Sequence, residues 1–245
     1  MSNLIVIDNK QHRNLAINSN RIERHGAELN LIPVVTFEFT NVASQYPIVI
    51  SKHEETGRFT IGALTGFESG ENLFWQNDEW QGLYLPLQIQ RQPFFVGGSN
   101  ESTENQYLVC FDQTSPAVCD VSDSEFEQNC HPIFNEDGSE TEYFEHAKQC
   151  LAQLLHGEQA NSELLEILTE LELIQPMSLE ITFANQQSKR LNGLYTIDKE
   201  RLASLAQEQV YQLHQNGMLE SIYTMTTSLG HIYSLIDRKN KTLDC

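Results

Sequence analysis

Apolar residues in the N-terminal half of the chain fall in short runs separated by polar turns, a pattern typical of β-strands. The runs lie at Leu4–Ile7, Asn14–Ile17, Tyr46–Ser51, Phe59–Leu64, Asn72–Trp75, Leu83–Gln90, Phe94–Val96 and Tyr107–Phe111. The turn at Thr56–Gly57 predicts a hairpin between Tyr46–Ser51 and Phe59–Leu64. The segment Glu28–Thr40 fits a strand by its Val and Phe content and a helix by its spacing, so both remain open.

The C-terminal half has helical spacing instead. The pattern Ser139-x-x-Glu142 is a capping box and predicts a helix that begins there. Gly157 is expected to end this helix, and a second helix is predicted at 161–173, before Pro176.

A second hairpin is predicted after these helices. Alternating apolar residues at Met177–Phe183 predict one strand, and Leu191–Ile197 follows as its partner. Asp198 is a typical N-cap for a helix that continues until Gly217, and Leu219–Ile236 predicts a last long helix.

These elements predict an α+β fold, with a mainly antiparallel β N-terminal part followed by a helix-rich C-terminal part that contains a β-hairpin. We expect a single domain over residues 1–245, because the helices need a sheet to cover. Its sub-parts are a β-rich 1–112 and a helix-rich 138–241. The acidic segment 113–137 and the loop at 97–103 are predicted to be irregular.

Composition excludes several classes of protein. The chain has 245 residues and is 40% hydrophobic with 12 Phe, too apolar for a disordered chain. Its 34 acidic and 15 basic residues give a net charge of −19, which argues against binding nucleic acid or anionic membranes. No apolar run reaches the ~18 residues of a membrane span, so we expect no membrane insertion. The N-terminus lacks the basic region of a signal peptide, and we therefore expect a cytoplasmic protein.

Cysteine and histidine residues are the first candidates for chemistry. The five cysteines cannot form a closed set of disulfides, which favours free thiols. The residues close enough in sequence to suggest a metal site are Cys110, Cys119, Cys130, His131, His146 and Cys150, together with the pair His53 and Glu55. Because no Cys-x-x-Cys spacing occurs, the sequence predicts no metal site and no cofactor.

Catalytic motifs give no assignment. The chain has no Gly-x-Ser-x-Gly nucleophile elbow and no glycine-rich phosphate loop. Ser228 and His231 are three residues apart on a predicted helix, where a serine hydroxyl usually bonds to the preceding turn. The catalytic residues therefore remain unknown, and the sequence favours a non-catalytic protein.

The most informative feature is a cluster of aromatic and polar residues. Its candidate binding residues are Glu71, Asn72, Trp75, Trp80, Tyr84 and Arg91. Trp, Tyr and Arg combine large apolar area with polar tips, as binding surfaces require. Acidic and polar neighbours predict exposure for Trp80, Tyr84 and Arg91. The alternative is that Phe74, Trp75, Phe94 and Phe95 simply belong to the core.

Three ordered groups of residues resemble a known family. They are Tyr46-Pro47-Ile48-Val49-Ile50; Gly70-Glu71-Asn72-Leu73-Phe74 with Trp80, Tyr84-x-Pro86 and Arg91-x-Pro93-Phe94; and Leu173-Ile174-Gln175-Pro176, Leu191-x-Gly193-Leu194-Tyr195, Asp198-x-x-Arg201-Leu202, Gly217-x-Leu219-x-x-Ile222-Tyr223 and Ser228-Leu229. In order and spacing the set resembles the SapC family of bacterial proteins over nearly the whole chain. No catalytic residues can be carried over from the resemblance, and the family's label suggests a link to surface layers.

Three functions follow as hypotheses. The first is a non-catalytic protein that binds a peptide, a partner protein or a small ligand through the aromatic and arginine residues. The second is an enzyme or metal-dependent protein that uses His53, Glu71, Cys130 or His146. The third, suggested by the family label alone, is an accessory protein of a surface layer.

Overall fold

The computed structural model of the chain describes residues 3–53, 55–97, 107–121 and 129–243. The chain forms two compact units. Unit 1 comprises Met1–Gly26, Asn77–Trp80 and Leu87–Leu155, and unit 2 comprises Ala27–Gln76, Gln81–Pro86 and His156–Cys245. Both units draw on separate stretches of sequence, so they do not coincide with the sub-parts 1–112 and 138–241. The single domain over 1–245 stays a prediction.

The strands of the described residues are short. They are β1 (Leu4–Val6), β2 (Leu15–Asn18), β3 (Leu31–Pro33), β4 (Ile48–Lys52), β5 (Phe59–Leu64), β6 (Trp75–Gln76), β7 (Glu79–Trp80), β8 (Phe94–Gly97), β9 (Leu108–Asp112), β10 (Val118–Asp120), β11 (Cys130–Pro132), β12 (Ile174–Pro176), β13 (Leu179–Thr182), β14 (Ser188–Leu191) and β15 (Leu194–Ile197).

The helices lie mainly in the C-terminal half. They are α1 (Phe39–Val42), α2 (Leu87–Gln90), α3 (Glu142–Glu170), α4 (Lys199–Ala203), α5 (Gln207–Gln215), α6 (Met218–Ser228) and α7 (Ile232–Leu243), with 3-10 turns at Ser19–Arg21, Glu23–Gly26, Thr36–Glu38 and Leu229–His231. The α+β class is therefore confirmed. No helix within the described part of the chain is both long and apolar enough to cross a lipid bilayer.

Unit 1 contains two three-stranded antiparallel sheets, in the orders β1-β9-β8 and β10-β2-β11. Their central strands carry buried residues such as Ile17 and Phe111. β10 and β11 lie in the segment predicted to be irregular. They form because both pair with β2, a long-range partner that the local pattern does not reveal. The predicted loop at 97–103 lies outside the described residues from position 98 onward.

Unit 2 is built on a five-stranded antiparallel sheet in the order β12-β15-β4-β5-β3. The predicted hairpin of β4 and β5 is confirmed, with Ile50 opposite Ile61. β15 brings the C-terminal half into this sheet by placing Tyr195 opposite Ile50. α6 covers β4 and β15, and its Ile222 and Met225 are buried. Burial of these apolar side chains is the main source of stability.

The region predicted to form two helices is one continuous helix, α3, so the expected break at Gly157 is wrong. A Cβ at position 157 would lie 2.8 Å from both γ-carbons of Val35. Glycine therefore serves a close approach between α3 and Val35 rather than a helix end. Helical hydrogen bonding continues through it because an interior glycine costs only about 1 kcal/mol relative to alanine.

Two strand predictions also fail. Leu83–Gln90 is a loop followed by α2, because Pro86 lacks the N–H that a central strand needs and suits a position before a helix. Leu83 is 93% exposed, so its alternation with Leu85 and Leu87 does not mark a sheet face. Of Asn72–Trp75, only Trp75 belongs to a strand.

The second hairpin forms with a different partner. β13 pairs with β14, whereas β15 pairs with β12 and β4. The predicted cap at Asp198 is confirmed, since its Oδ1 accepts a hydrogen bond of 2.9 Å from the backbone N–H of Arg201. The predicted last helix is divided into α6 and α7 by the turn at Leu229–His231.

Candidate functional site

The six residues predicted to bind a partner divide between the two units. Trp80 and Arg91 belong to unit 1, whereas Glu71, Asn72, Trp75 and Tyr84 belong to unit 2. The three residues predicted to be exposed, Trp80, Tyr84 and Arg91, are all half-buried.

Trp80 is held against the 3-10 turn at Glu23–Gly26. Its backbone N–H donates a hydrogen bond of 2.9 Å to Glu23 Oε2. A Cβ at position 26 would lie 2.7 Å from Cζ3 of the indole, so the ring packs directly on the glycine backbone. Trp80 is therefore held in one place while the residue remains partly exposed.

Arg91 is also held in a defined position. Its Nε donates to Gln88 Oε1, and its Nη1 donates a hydrogen bond of 2.8 Å to the carbonyl oxygen of Phe94. The guanidinium carbon lies 4.2 Å from the ring centroid of Phe95, a cation–π contact. These three contacts restrict the rotamers of a side chain that is otherwise flexible.

The turn at Glu23–Gly26 also carries His25, on which the charge of Arg91 acts. His25 Nε2 lies 3.0 Å from Ser115 Oγ. Burial lowers the pKa of His25; Asp112 opposes this effect, and the positive charge of Arg91 adds to it. Trp80 thus contacts the turn through Gly26, and Arg91 acts on it through His25.

We expect His25 to make stability depend on pH. Because its pKa is lower in the folded chain, the unfolded chain binds the proton first as the pH falls below about 6.5. The free energy of unfolding should therefore decrease below that pH. His25→Gln should weaken this decrease, as measured by urea unfolding between about pH 7.5 and pH 5. Equal decreases in both proteins would contradict the assignment.

In unit 2, Tyr84 stabilises a loop through hydrogen bonds. Its hydroxyl donates a hydrogen bond of 3.0 Å to Oε2 of the buried Glu38. Its carbonyl oxygen accepts hydrogen bonds from the Tyr46 hydroxyl at 2.7 Å and from Gln45 Nε2 at 3.2 Å. These bonds hold the loop that carries the exposed Leu83. A binding role for Tyr84 stays a prediction.

Glu71 and Asn72 also have internal partners. Asn72 is buried, and its Oδ1 accepts a hydrogen bond of 2.9 Å from the backbone N–H of Phe74. Glu71 forms an ion pair with Lys239 and accepts the backbone N–H of Phe67 at 2.8 Å. Both residues therefore contribute to the local structure of unit 2, and their binding roles stay predictions, as does that of the half-buried Trp75.

The sequence left open that four aromatic residues, Phe74, Trp75, Phe94 and Phe95, belong to the core, and this holds for two of them. Phe74 and Phe94 are buried, as expected of core residues. Trp75 and Phe95 are only half-buried. The rings in this region therefore include both core and partly accessible members.

Ser228 and His231 have separate structural partners. Ser228 is buried, and its Oγ accepts the backbone N–H of Ile48 at 2.9 Å while donating to the carbonyl oxygen of Met225 at 2.7 Å. His231 Nε2 lies 2.9 Å from the carbonyl oxygen of Ala43. The Ser228 hydroxyl thus accepts a hydrogen bond from the backbone of β4.

The residues of the enzyme or metal hypothesis are distributed over both units. His53 and Glu71 belong to unit 2, whereas Cys130 and His146 belong to unit 1. His146 Nε2 lies 3.8 Å from Cys150 Sγ within α3. Among the residues that the structure describes, no group of three or more His, Cys, Asp or Glu side chains is arranged to hold a metal ion.

The structure shows a cavity that the sequence patterns did not predict. It has a volume of about 710 Å³ and lies along α5 and α6, where Val210, Tyr211, His214 and Leu219 are among the lining residues. Tyr211 is 61% exposed. The sequence contained one sign of this cavity. Val210 and Tyr211 are adjacent in sequence, so they cannot both lie on the buried face of α5 with Leu213, and an apolar side chain must be left exposed there.

Comparison with known proteins gives one match. The sequence model of the SapC family matches residues 7–235. No curated protein and no solved structure matches the chain. The family match covers nearly the whole chain, including the segments that carry the resemblance seen in the sequence. The chain belongs to the SapC family.

Proposed function

We propose that this chain is a non-catalytic binding protein that recognises a basic segment of a peptide or protein partner. The binding surface consists of Trp80 and Arg91 of unit 1, with the acidic residues Asp78 and Glu79. The observation that carries the proposal is that Trp80 and Arg91 are both partly exposed and both held in place, Trp80 by the turn at Glu23–Gly26 and Arg91 by Gln88, Phe94 and Phe95.

Preorganisation favours binding by these two residues. Trp and Arg are the residue types that most often dominate binding energy at protein interfaces. A side chain that is already ordered loses little conformational entropy when a partner binds, whereas a mobile one can lose about 0.5–1.5 kcal/mol. The contacts of Trp80 with Glu23 and Gly26, and of Arg91 with Phe95, provide this order before binding.

Charge favours a basic partner. Asp78 and Glu79 directly precede Trp80 and are both exposed. The whole chain has a net charge of −19, which attracts cationic partners over distance and accelerates association. A lysine or arginine of the partner would meet the two carboxylates, while its apolar groups would contact the indole ring.

Replacing Trp80 and Arg91 together tests the proposal. Partners captured from the source cell by the wild-type chain should be identified, purified and titrated by calorimetry against the wild type and Trp80→Ala/Arg91→Ala. Because loss of one hot-spot residue costs about 2 kcal/mol or more, the double variant should bind at least about 30-fold more weakly. The matched control, Tyr233→Ala/Arg190→Ala, replaces an exposed tyrosine and arginine of unit 2 and should bind normally.

The exposed acids provide a variant that spares the fold. Asp78→Asn/Glu79→Gln removes two charges and retains a residue that tolerates the positive φ of 59° at position 78. Its association rate should fall and depend less on salt than that of the control Glu180→Gln/Glu200→Gln. Unchanged affinity in the Trp80/Arg91 variant, with far-UV circular dichroism and a urea unfolding midpoint like those of the wild type, would overturn the proposal. A partner that proves to be a small molecule would do the same.

A further inference from the structure

Two cysteines of unit 1 meet across the face of β2. Cys119 of β10 lies opposite Ala16, and Cys130 of β11 lies opposite Asn18 on the other edge of β2. Residues 16 and 18 are two positions apart and share one face of the strand, so the cysteines paired with them face the same side. Their Sγ atoms are 3.0 Å apart, and neither cysteine is in a disulfide bond.

One of the two cysteines is partly exposed. Cys130 is 7% exposed, whereas Cys119 is half-buried and lines a cavity of about 660 Å³ in unit 1. Lys10 and Arg13 also line this cavity, with Asp120 as an opposing charge. Partly exposed cysteines near cations are the ones that react in proteins. The cavity has room for a small thiol compound, and its two cations favour one that carries carboxylates.

We propose that Cys119 and Cys130 form a reversible disulfide by exchange with a small carboxylate-bearing disulfide such as oxidised glutathione. This inference is independent of the binding surface proposed above. A disulfide bond requires the sulfur atoms to approach from 3.0 Å to about 2 Å.

The exchange proceeds in two steps. The Cys119 thiol loses its proton, and the thiolate attacks one sulfur of the small disulfide. The small disulfide bond breaks, a mixed disulfide forms at Cys119, and the first small thiol leaves with a proton. The Cys130 thiol then loses its proton and attacks Cys119 Sγ, which releases the second small thiol with a proton. Two electrons pass from the protein to the small disulfide.

The product links β10 and β11, the two edge strands of the sheet. Ten residues, 120–129, separate the two cysteines in sequence. The disulfide would therefore close this connection covalently and hold both edge strands on β2. Cys110 in β9 and Cys150 in α3 are buried and serve as internal comparisons.

The test uses the full chain with Cys245→Ser, which removes a terminal thiol outside the described residues. Reduced protein is incubated with oxidised glutathione, its remaining thiols are blocked, and the digest is mapped by mass spectrometry. We expect two thiols to be lost and one linked peptide pair, Cys119 with Cys130, which dithiothreitol reverses. This measurement requires no substitution at either cysteine.

Single variants then identify the entry thiol. In Cys130→Ser the mixed disulfide with glutathione should accumulate at Cys119, whereas Cys119→Ser should react at least tenfold more slowly. Cys110→Ser should behave like its parent. Retention of all four thiols, a pair that includes Cys150, or faster glutathione addition at Cys130 would each overturn the proposal.

Discussion

Gly157→Ala should lower the free energy of unfolding by about 2 kcal/mol, because the added methyl group has no space in the folded chain. Its Cβ would lie 2.8 Å from both γ-carbons of Val35, which is itself buried. Alanine favours the helix by up to about 1 kcal/mol, so the expected loss is what remains after this gain. Urea unfolding followed by circular dichroism measures it.

Gly230→Ala is the matched control. A Cβ at position 230 would have no heavy atom within 4 Å, and the residue is exposed. Alanine should stabilise the chain there by about 0.4–1 kcal/mol through the unfolded state. The two substitutions are chemically identical and are expected to act in opposite directions. A stabilising Gly157→Ala would show that the contact between α3 and Val35 is absent in solution.

The same glycine shows why the helical region was only partly predictable. Glycine after an amphipathic run is a common helix end, and the sequence carries no sign of Val35 at this point. The decisive contact joins positions 35 and 157, which are far apart in sequence. Features that depend on neighbouring residues, such as the β4–β5 hairpin and the Asp198 cap, were predicted correctly.

In the candidate site, too, local features were predictable from the sequence and long-range contacts were not. The residue types clustered between Trp75 and Phe95 marked Trp80, Tyr84 and Arg91 as candidates for binding, because the side-chain types carry that information. What orders Trp80 is Glu23, 57 positions earlier, together with the missing side chain of Gly26. For Tyr84, Glu71 and Asn72 the sequence could not show the internal hydrogen bonds that these residues make in unit 2.

The pairing of β10 and β11 with β2 was equally hidden. Ser, Asp and Glu around these strands indicate a loop, and three-residue strands have too few positions for a pattern. Only the antiparallel register with β2 brings Cys119 and Cys130 together. Sequence spacing, which argued against a metal site, gave no sign of this pair of thiols.

Lys239→Met should destabilise unit 2 by about 2 kcal/mol, since it leaves the Glu71 carboxylate poorly solvated and without its cation. The side chains of Lys239 and Glu71 are only 13% and 17% exposed. Their remaining exposure reduces the expected loss below the 3–5 kcal/mol typical of a fully buried pair. Glu71 would retain only the backbone N–H of Phe67 among the partners described above.

Lys241→Met is the control, because it removes an ion pair of the same helix in an exposed position. Lys241 and Asp237 are 72% and 63% exposed, so this pair should contribute no more than about 0.5 kcal/mol. The double variant Glu71→Gln/Lys239→Met should recover much of the loss, since neither an uncompensated charge nor an unpaired Phe67 N–H remains. If Lys239→Met and Lys241→Met gave the same unfolding free energy, the Glu71–Lys239 pair would be as weak as a surface contact. A full recovery in the double variant would instead show that the ion pair adds no net stability over the neutral pair.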